Sequence, residues 1–129
     1  MFRVIVVGSN DWSNYSDVMR NMTILLEDLK YENEENNKIT VVHAGNKGAE
    51  NMISEYIGKV EKFLRQKGFY IKEEIFKSPN ASNKSTNDYN MIQDGADYAI
   101  VFSTKNDKRA AYCTKILQEF DIPTKVILD

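Results

Sequence analysis

"VVHAGNKGAE", residues 41–50, is the stretch on which the reading of this chain turns. An apolar run ends on a histidine and breaks on two glycines three residues apart. It then passes into a segment carrying Met52, Ile53, Tyr56, Ile57, Val60, Phe63 and Leu64 before Gly68. A short β-branched run suits a buried strand, apolar positions recurring at three and four suit an amphipathic helix, and glycine supplies the turn between them. The unit is strand, turn, helix.

The same unit recurs in both directions. Upstream, Phe2 to Val7 is a continuous apolar run closing on Gly8, the pattern of a central strand. "GSNDWSNYSD" follows, rich in turn formers, with Ser16 the expected N-cap of a helix through Val18, Met22, Leu25, Leu26 and Leu29 that ends near Tyr31. "ENEENNK", residues 32–38, has no apolar anchor and reads as a mobile loop before a strand from Ile39 to His43. Downstream, "FYIKEEIF", residues 69–76, reads as an edge strand, because Lys and Glu on an open edge discourage wrong pairing. "KSPNASNKSTND" is a long polar connection in which Ser85 or Thr86 caps a short helix through Ile92. "DYAIVFS", residues 97–103, is a strongly apolar strand. A helix with Ala110, Ala111, Ile116, Leu117 and Phe120 comes next, and "DIPTKVILD" closes the chain as a fifth strand begun at Pro123.

Five strands alternating with four helical segments predict a single α/β domain over residues 1–129, an open, mostly parallel five-stranded sheet with helices on both faces. At 129 residues with 42% hydrophobic composition, one substantial core is expected. The 17 basic and 19 acidic side chains give a net charge of −2, so no global field draws the protein to nucleic acid or an anionic membrane. Nucleic-acid binding also ranks low because no basic stripe carries interleaved aromatics. "MFRVIVVG" is too short and too β-branched for a signal peptide, and no eighteen apolar residues run together. A cytoplasmic protein without membrane contact is expected. One cysteine, Cys113, and one histidine, His43, argue against disulfides and against a metal centre; no cofactor is expected.

In folds of this class ligands lie outside the carboxyl ends of the strands. Four loops meet there: "GSNDW", "AGNKG", the residues leading through "KSTND", and "STKNDKR". Gly45 and Gly48 precede a long helix whose first N–H groups lack internal partners, and such a helix start favours a phosphate; the same glycines also serve a plain strand-to-helix turn. Gly8 ends a strand, Ser9 and Asn10 offer donors, and Trp12 either covers a base or packs over the sheet end. His43 donates to a ligand or is a hydrogen-bonded core residue. Lys47, Lys105, Lys108 and Arg109 form a local anion pocket, or a solvated loop balanced by Asp107. Glu50 and Asp88 are candidates for ribose hydroxyls or a base edge, although carboxylates at helix starts also stabilise the dipole. Met19, Met22 and Met52 belong to the core or to an interface, core being the commoner fate of such stripes.

The order of these pieces resembles the SLOG superfamily, most closely its small YspA-like branch, often labelled a domain of unknown function. The resemblance rests on "RVIVVGSNDW" at 3–12, "VVHAGNKGAE" at 41–50, "NDYNMIQDGADYAIVF" at 87–102 and "DIPTKVI" at 121–127, nearly the whole chain. The first block is similar to the family's V-G-S-R-x-W opening and the second to its H-G-G-A-R-G-A-D signature. The resemblance implies a Rossmann-like sheet of order 3-2-1-4-5, a pocket for nucleotides or nucleotide-derived molecules, and homo-oligomers assembled through helical faces. Gly8, Ser9, Gly45 and Gly48 keep the family's residue types, Asn10, Ala44, Asn46 and Lys47 occupy altered positions, and Glu50 replaces an aspartate.

Two departures bear on activity. Asn87 stands where the family's Arg-Asn-x-x-Met block has arginine. Related phosphoribohydrolases carry P-G-G-x-G-T-x-x-E after the fourth strand, whereas "STKNDKRAAYCTK" has neither the glycines nor the glutamate. Lys108 or Arg109 replaces some phosphate affinity but cannot take over a carboxylate's proton transfer. No catalytic residue is therefore assigned. The expected ligand-binding set is Gly8, Ser9, Asn10, Trp12, His43, Gly45, Asn46, Lys47, Gly48, Glu50, Asn87, Asp88, Ser103, Lys108 and Arg109. The expected function is binding, sensing or sequestration of a nucleotide-like small molecule. Cleavage of nucleoside monophosphates with Asp88 or Glu50 in the catalytic role, and a protein-interaction module with a degenerate pocket, are the alternatives. The abundance of Asn, Lys and Ile fits an AT-rich bacterial or phage genome.

Overall fold

The computed structural model describes residues 2–32 and 37–129. Its elements alternate throughout: β1 (Phe2–Gly8), α1 (Tyr15–Glu32), β2 (Lys38–His43), α2 (Ala49–Gln66), β3 (Tyr70–Ile75), α3 (Lys84–Gln93), β4 (Tyr98–Ser103), α4 (Lys108–Glu119) and β5 (Thr124–Leu128). The strands form one sheet in the order β3-β2-β1-β4-β5, and every pairing is parallel. This is the Rossmann-like α/β architecture expected from the alternation of patterns. Parallel neighbours require crossovers, and each helix supplies one.

The strand period of two sorts the central residues onto two faces. Val4 and Val6 of β1 join Ile39 and Val41 of β2 and Ile100 and Phe102 of β4 in the layer packed by α1 and α2. Ile5 and Val7 join Val42, Ala99 and Val101 in the layer packed by α3 and α4. Each fully buried aliphatic side chain contributes roughly 1.5–3 kcal/mol, so the four consecutive buried residues Val4 to Val7 anchor both layers at once. Continuous apolar β1 and β4 are central because helices cover both their faces; β3, with Lys72, Glu73 and Glu74, is an edge as expected.

Two helix starts differ from the sequence expectation. Asn14, and not Ser16, caps α1: its Oδ1 accepts from the Asp17 amide at 3.1 Å while its Nδ2 donates to the Asp17 carboxylate at 2.9 Å. Asn83, and not Ser85 or Thr86, caps α3 by accepting from the Thr86 amide at 2.9 Å. In both windows several cap-forming residues compete, and asparagine takes the cap two or three residues before the hydroxyls, accepting from the third amide of the helix. Residues 33–36 of the stretch read as a mobile loop lie outside the described residues. Met22 is buried in the core, Met52 packs against it and Met19 is exposed.

Candidate functional site

Strand order reverses between β1 and β4, so the crevice expected of this fold lies beyond Gly8 and Ser103. Two glycines bring three segments together there. A Cβ on Gly8 would lie 2.3 Å from Ala49 Cβ, so α2 starts in contact with the end of β1. Gly48 has φ +82°, and its Cβ would lie 2.3 Å from the Ser9 carbonyl oxygen. Glycine is thus needed at position 48 both for its left-handed dihedral and to let the β2–α2 turn touch the β1–α1 loop. The close approach is to protein backbone.

The Glu50 carboxylate fills the space beneath this turn. It is fully buried and accepts from the amides of Gly8 (3.2 Å), Ala44 (2.9 Å) and Asn46 (3.4 Å), and from Asn46 Nδ2 (3.3 Å). Backbone donors of the kind that would receive a phosphate therefore already hold an anion of the chain's own. Arg109, reaching from the first turn of α4, donates through Nη1 to Glu50 Oε2 at 2.6 Å and to the Gly8 carbonyl at 3.0 Å. Its Nε and Nη2 form a bidentate pair with Asp88 of α3 at 2.8 and 2.9 Å. Burial opposes the charge on Arg109, but the hydrogen bonds and fields of Asp88 and Glu50 outweigh it, and the guanidinium is held more basic than usual. One cation between two carboxylates leaves an excess negative charge, which the three backbone amides help to carry. Nearby, burial and then the Asp88 charge push the thiol of the fully buried Cys113 well above its ordinary range, which disfavours the thiolate.

Hydrogen bonds also close the mouth of the crevice. Ser9 Oγ, almost fully buried, accepts from the Thr104 amide at 3.0 Å, and Thr104 Oγ1 donates to Asp11 at 2.8 Å. Trp12, expected over a base or over the sheet end, takes the second place: it is 2% exposed, lies edge-on to Phe102 at 5.3 Å between ring centres, and donates Nε1 to the Asn14 carbonyl. Asn87 braces the β3–α3 connection, accepting from the Ser78 amide at 2.7 Å and donating to the Phe76 carbonyl at 3.2 Å. Thus Gly8, Ser9, Gly48, Glu50, Asp88 and Arg109 converge as one cluster. Trp12 and Asn87 serve packing and loop geometry.

His43 is fully buried at the end of β2. The Gly45 amide donates to its Nδ1 at 3.0 Å, which leaves Nε2 to carry the proton and donate to Glu73 of β3 at 2.7 Å. Ser54 of α2 also donates to the Glu73 carboxylate and lies 3.3 Å from the same Nε2. A serine–histidine–acid relay needs serine and acid on opposite ring nitrogens; here both share one, so the cluster is a brace. Burial alone would raise the Glu73 carboxyl, but the hydrogen bonds from Ser54 and His43 hold it below its usual range.

Open space lies one strand further out. A groove of about 590 Å³ runs between the β4–α4 loop, α4 and β5, with Ser103, Lys105 and Asn106 at its mouth, Ala111 and Lys115 on the helix side, and Val126 and Leu128 on the strand side. Its size falls in the range of small-molecule sites. Of the expected set only Ser103 lines it; Asn10, Gly45, Lys47 and Lys108 are exposed and stand outside it, and Asn46 is half-buried over Glu50. Asp107 at the groove's mouth caps α4 by accepting from the Ala110 amide at 2.8 Å. Lys115, Val126 and Leu128 were not among the expected residues. A period-two reading of "TKVIL" puts Val126 and Leu128 on one face, but only the strand order shows that this face overhangs the end of the sheet. Among the described residues no group of His, Cys, Asp and Glu side chains is placed to hold a metal ion, and no helix is long and apolar enough to cross a membrane. No protein-family model and no curated protein sequence matches the chain.

Proposed function

We propose that this chain is a binding module for a small, nucleotide-derived molecule, which it holds without converting, in the groove between α4 and β5. One observation carries the reading: the groups able to do chemistry at the carboxyl end of the sheet are bonded to each other, while the neighbouring 590 Å³ groove is open. Its walls offer what such a ligand asks for. Ala111, Val126 and Leu128 give an apolar surface for a base, and Lys105 and Lys115 give ammonium groups at the rim for phosphate. The resemblance to nucleotide-pocket proteins of the SLOG type supports the ligand class. Glycosidic cleavage is disfavoured because Glu50 and Asp88, the two carboxylates for that role, already neutralise Arg109.

Native mass spectrometry of the gently purified protein, beside a thermal-shift panel of nucleotides, tests the reading. A near-stoichiometric small molecule, or a nucleotide that raises Tm, should be lost in Ala111→Trp, which fills the groove from an exposed helix position. Gly48→Trp would not serve, because its side chain would collide with the Ser9 backbone. A protein that no nucleotide stabilises, and that releases none, sinks the proposal.

A further inference from the structure

The two edges of the sheet are built differently. β3 carries Lys72, Glu73 and Glu74 in succession, and two of these are engaged: Glu73 with His43, and Glu74 with Arg3 at 2.9 Å. β5 has one charge, Lys125, no proline within it, and two large exposed aliphatics, Val126 at 44% and Leu128 at 72%. Charge on an edge strand deters pairing with another strand, and a single charge beside exposed apolar residues leaves β5 closer to a template for it than β3 is. The backbone of β5 is poised the same way. The Pro123 carbonyl accepts from the Ala99 amide and the Asp129 amide donates to the Ser103 carbonyl, so odd-numbered residues bond to β4. By the alternation of a parallel ladder, the N–H and C=O groups of Thr124, Val126 and Leu128 point away from the sheet.

We infer that β5 pairs antiparallel with β5 of a second copy of this chain, about a two-fold axis at Ile127, joining the two sheets into one of ten strands. The register follows from the residues. An axis at Ile127 sets Val126 opposite Leu128 of the other copy, and both are outward-pointing residues, so the two pairs exchange four backbone hydrogen bonds. The same axis sets Lys125 opposite Asp129 of the other copy, twice over, bringing opposite charges together. Shifting the axis to Val126 sets Lys125 against Ile127 and loses both charge pairs. On the α4 face the two Val126 and two Leu128 side chains close into one apolar cluster, which buries the most exposed aliphatic surface of the strand. The occupant is therefore a second copy, because the strand is complementary to itself. The inference rests on the outward backbone of β5 and not on the ligand reading; Val126 and Leu128 also wall the groove, so the test reads association and not ligand binding.

Sedimentation equilibrium of the intact chain over a range of concentrations tests it. A reversible dimer is expected. Leu128→Lys, a change at an exposed site, should make the chain monomeric without altering its circular dichroism, while Ile75→Lys on the β3 edge should leave the dimer intact. Lys125→Asp and Asp129→Lys should each weaken the dimer by about tenfold or more, because the axis counts each like-charge pair twice. The double exchange should restore it. Hydrogen exchange should show the Val126 and Leu128 amides protected in the dimer and open in Leu128→Lys. A chain that stays monomeric at every concentration, a dimer indifferent to Leu128→Lys, or a double exchange that fails to restore association overturns the inference.

Discussion

Two hollows lie side by side at the carboxyl end of the sheet. Between β1 and β4, where the strand order reverses, Glu50, Arg109 and Asp88 fill the crevice from within and the Ser9–Thr104 bond closes its mouth. Between α4 and β5 the space stays open over about 590 Å³. The rule that open parallel sheets bind ligands at the switch point gives a position, but the side chains there decide whether it is vacant. Here an acidic residue at the start of α2 occupies the anion site that the glycine turn provides, and an arginine from α4 neutralises it. What would be a cradle for a phosphate in another chain is a structural joint in this one.

The largest effect should come from breaking that joint. Arg109→Met leaves Glu50 and Asp88 buried without their cation, and loss of one member of a buried ion cluster costs about 3–5 kcal/mol. Urea unfolding followed by circular dichroism should register that loss. Combining it with Glu50→Gln and Asp88→Asn should recover part of the stability, since no uncompensated charge then remains buried. A single variant as stable as the parent would mean that the crevice is hydrated and open to ligands, erasing the contrast between the two hollows.

Ser9→Ala comes next. The Thr104 amide loses its acceptor in a partly buried bond, and loss of such a bond costs roughly 0.5–1.5 kcal/mol. If the bond closes the crevice, Ser9→Ala should also speed hydrogen exchange at Thr104 more than at Val101 in the middle of β4. Equal acceleration at both sites would show general loosening and no local closure.

The contrast between the hollows was only half legible in the chain. Alternation of apolar runs, glycines and amphipathic stretches is local, so all nine elements and the covered or uncovered state of β1, β3 and β4 could be read directly. Glu50, Asp88 and Arg109 were each found as candidates, but their mutual pairing joins positions 50, 88 and 109 from three helices, and no local pattern encodes it. Each alone looks like a ligand group because a site for an external ion and a joint made of internal ions use the same chemistry. Trp12 shows the same ambiguity: an aromatic residue after a strand serves a base or a core equally well until Phe102 is placed beside it. Val126 and Leu128 do not stand out in the chain, because "TKVIL" gives no sign of which face of an edge strand its neighbouring helix leaves uncovered.

A smaller effect marks how far the closed region extends. Glu73 sits at the outer end of the sheet with about a quarter of its side chain exposed, and its carboxyl is held below the ordinary value of 4.5. A group whose pKa is depressed by folding stabilises the fold above its unfolded value, and that contribution is lost as pH falls through the folded one. Stability should therefore drop on acidification below about pH 4.5, and Glu73→Gln should flatten that part of the profile while leaving neutral stability less changed than Ser9→Ala does, because solvent screens a partly exposed carboxylate. An unchanged acid limb in Glu73→Gln would assign it to other carboxylates.

The smallest effect on stability is the one that speaks most directly to the open hollow. Ala111 lies on the exposed side of α4, so Ala111→Trp should change unfolding free energy by no more than about 0.5 kcal/mol. The indole would nevertheless occupy the space between Thr114, Val126 and Leu128 that a base would need. Thermal shift against the nucleotide that stabilises the parent chain should then vanish while the unliganded Tm holds. Arg109→Met supplies the reciprocal measurement, lowering the unliganded Tm while keeping the ligand-induced shift, because Arg109 faces Glu50 and Asp88 and does not line the groove. If the two variants exchange these signatures, binding belongs to the crevice between β1 and β4 after all, and Glu50 would have to leave its amides for a ligand anion to enter.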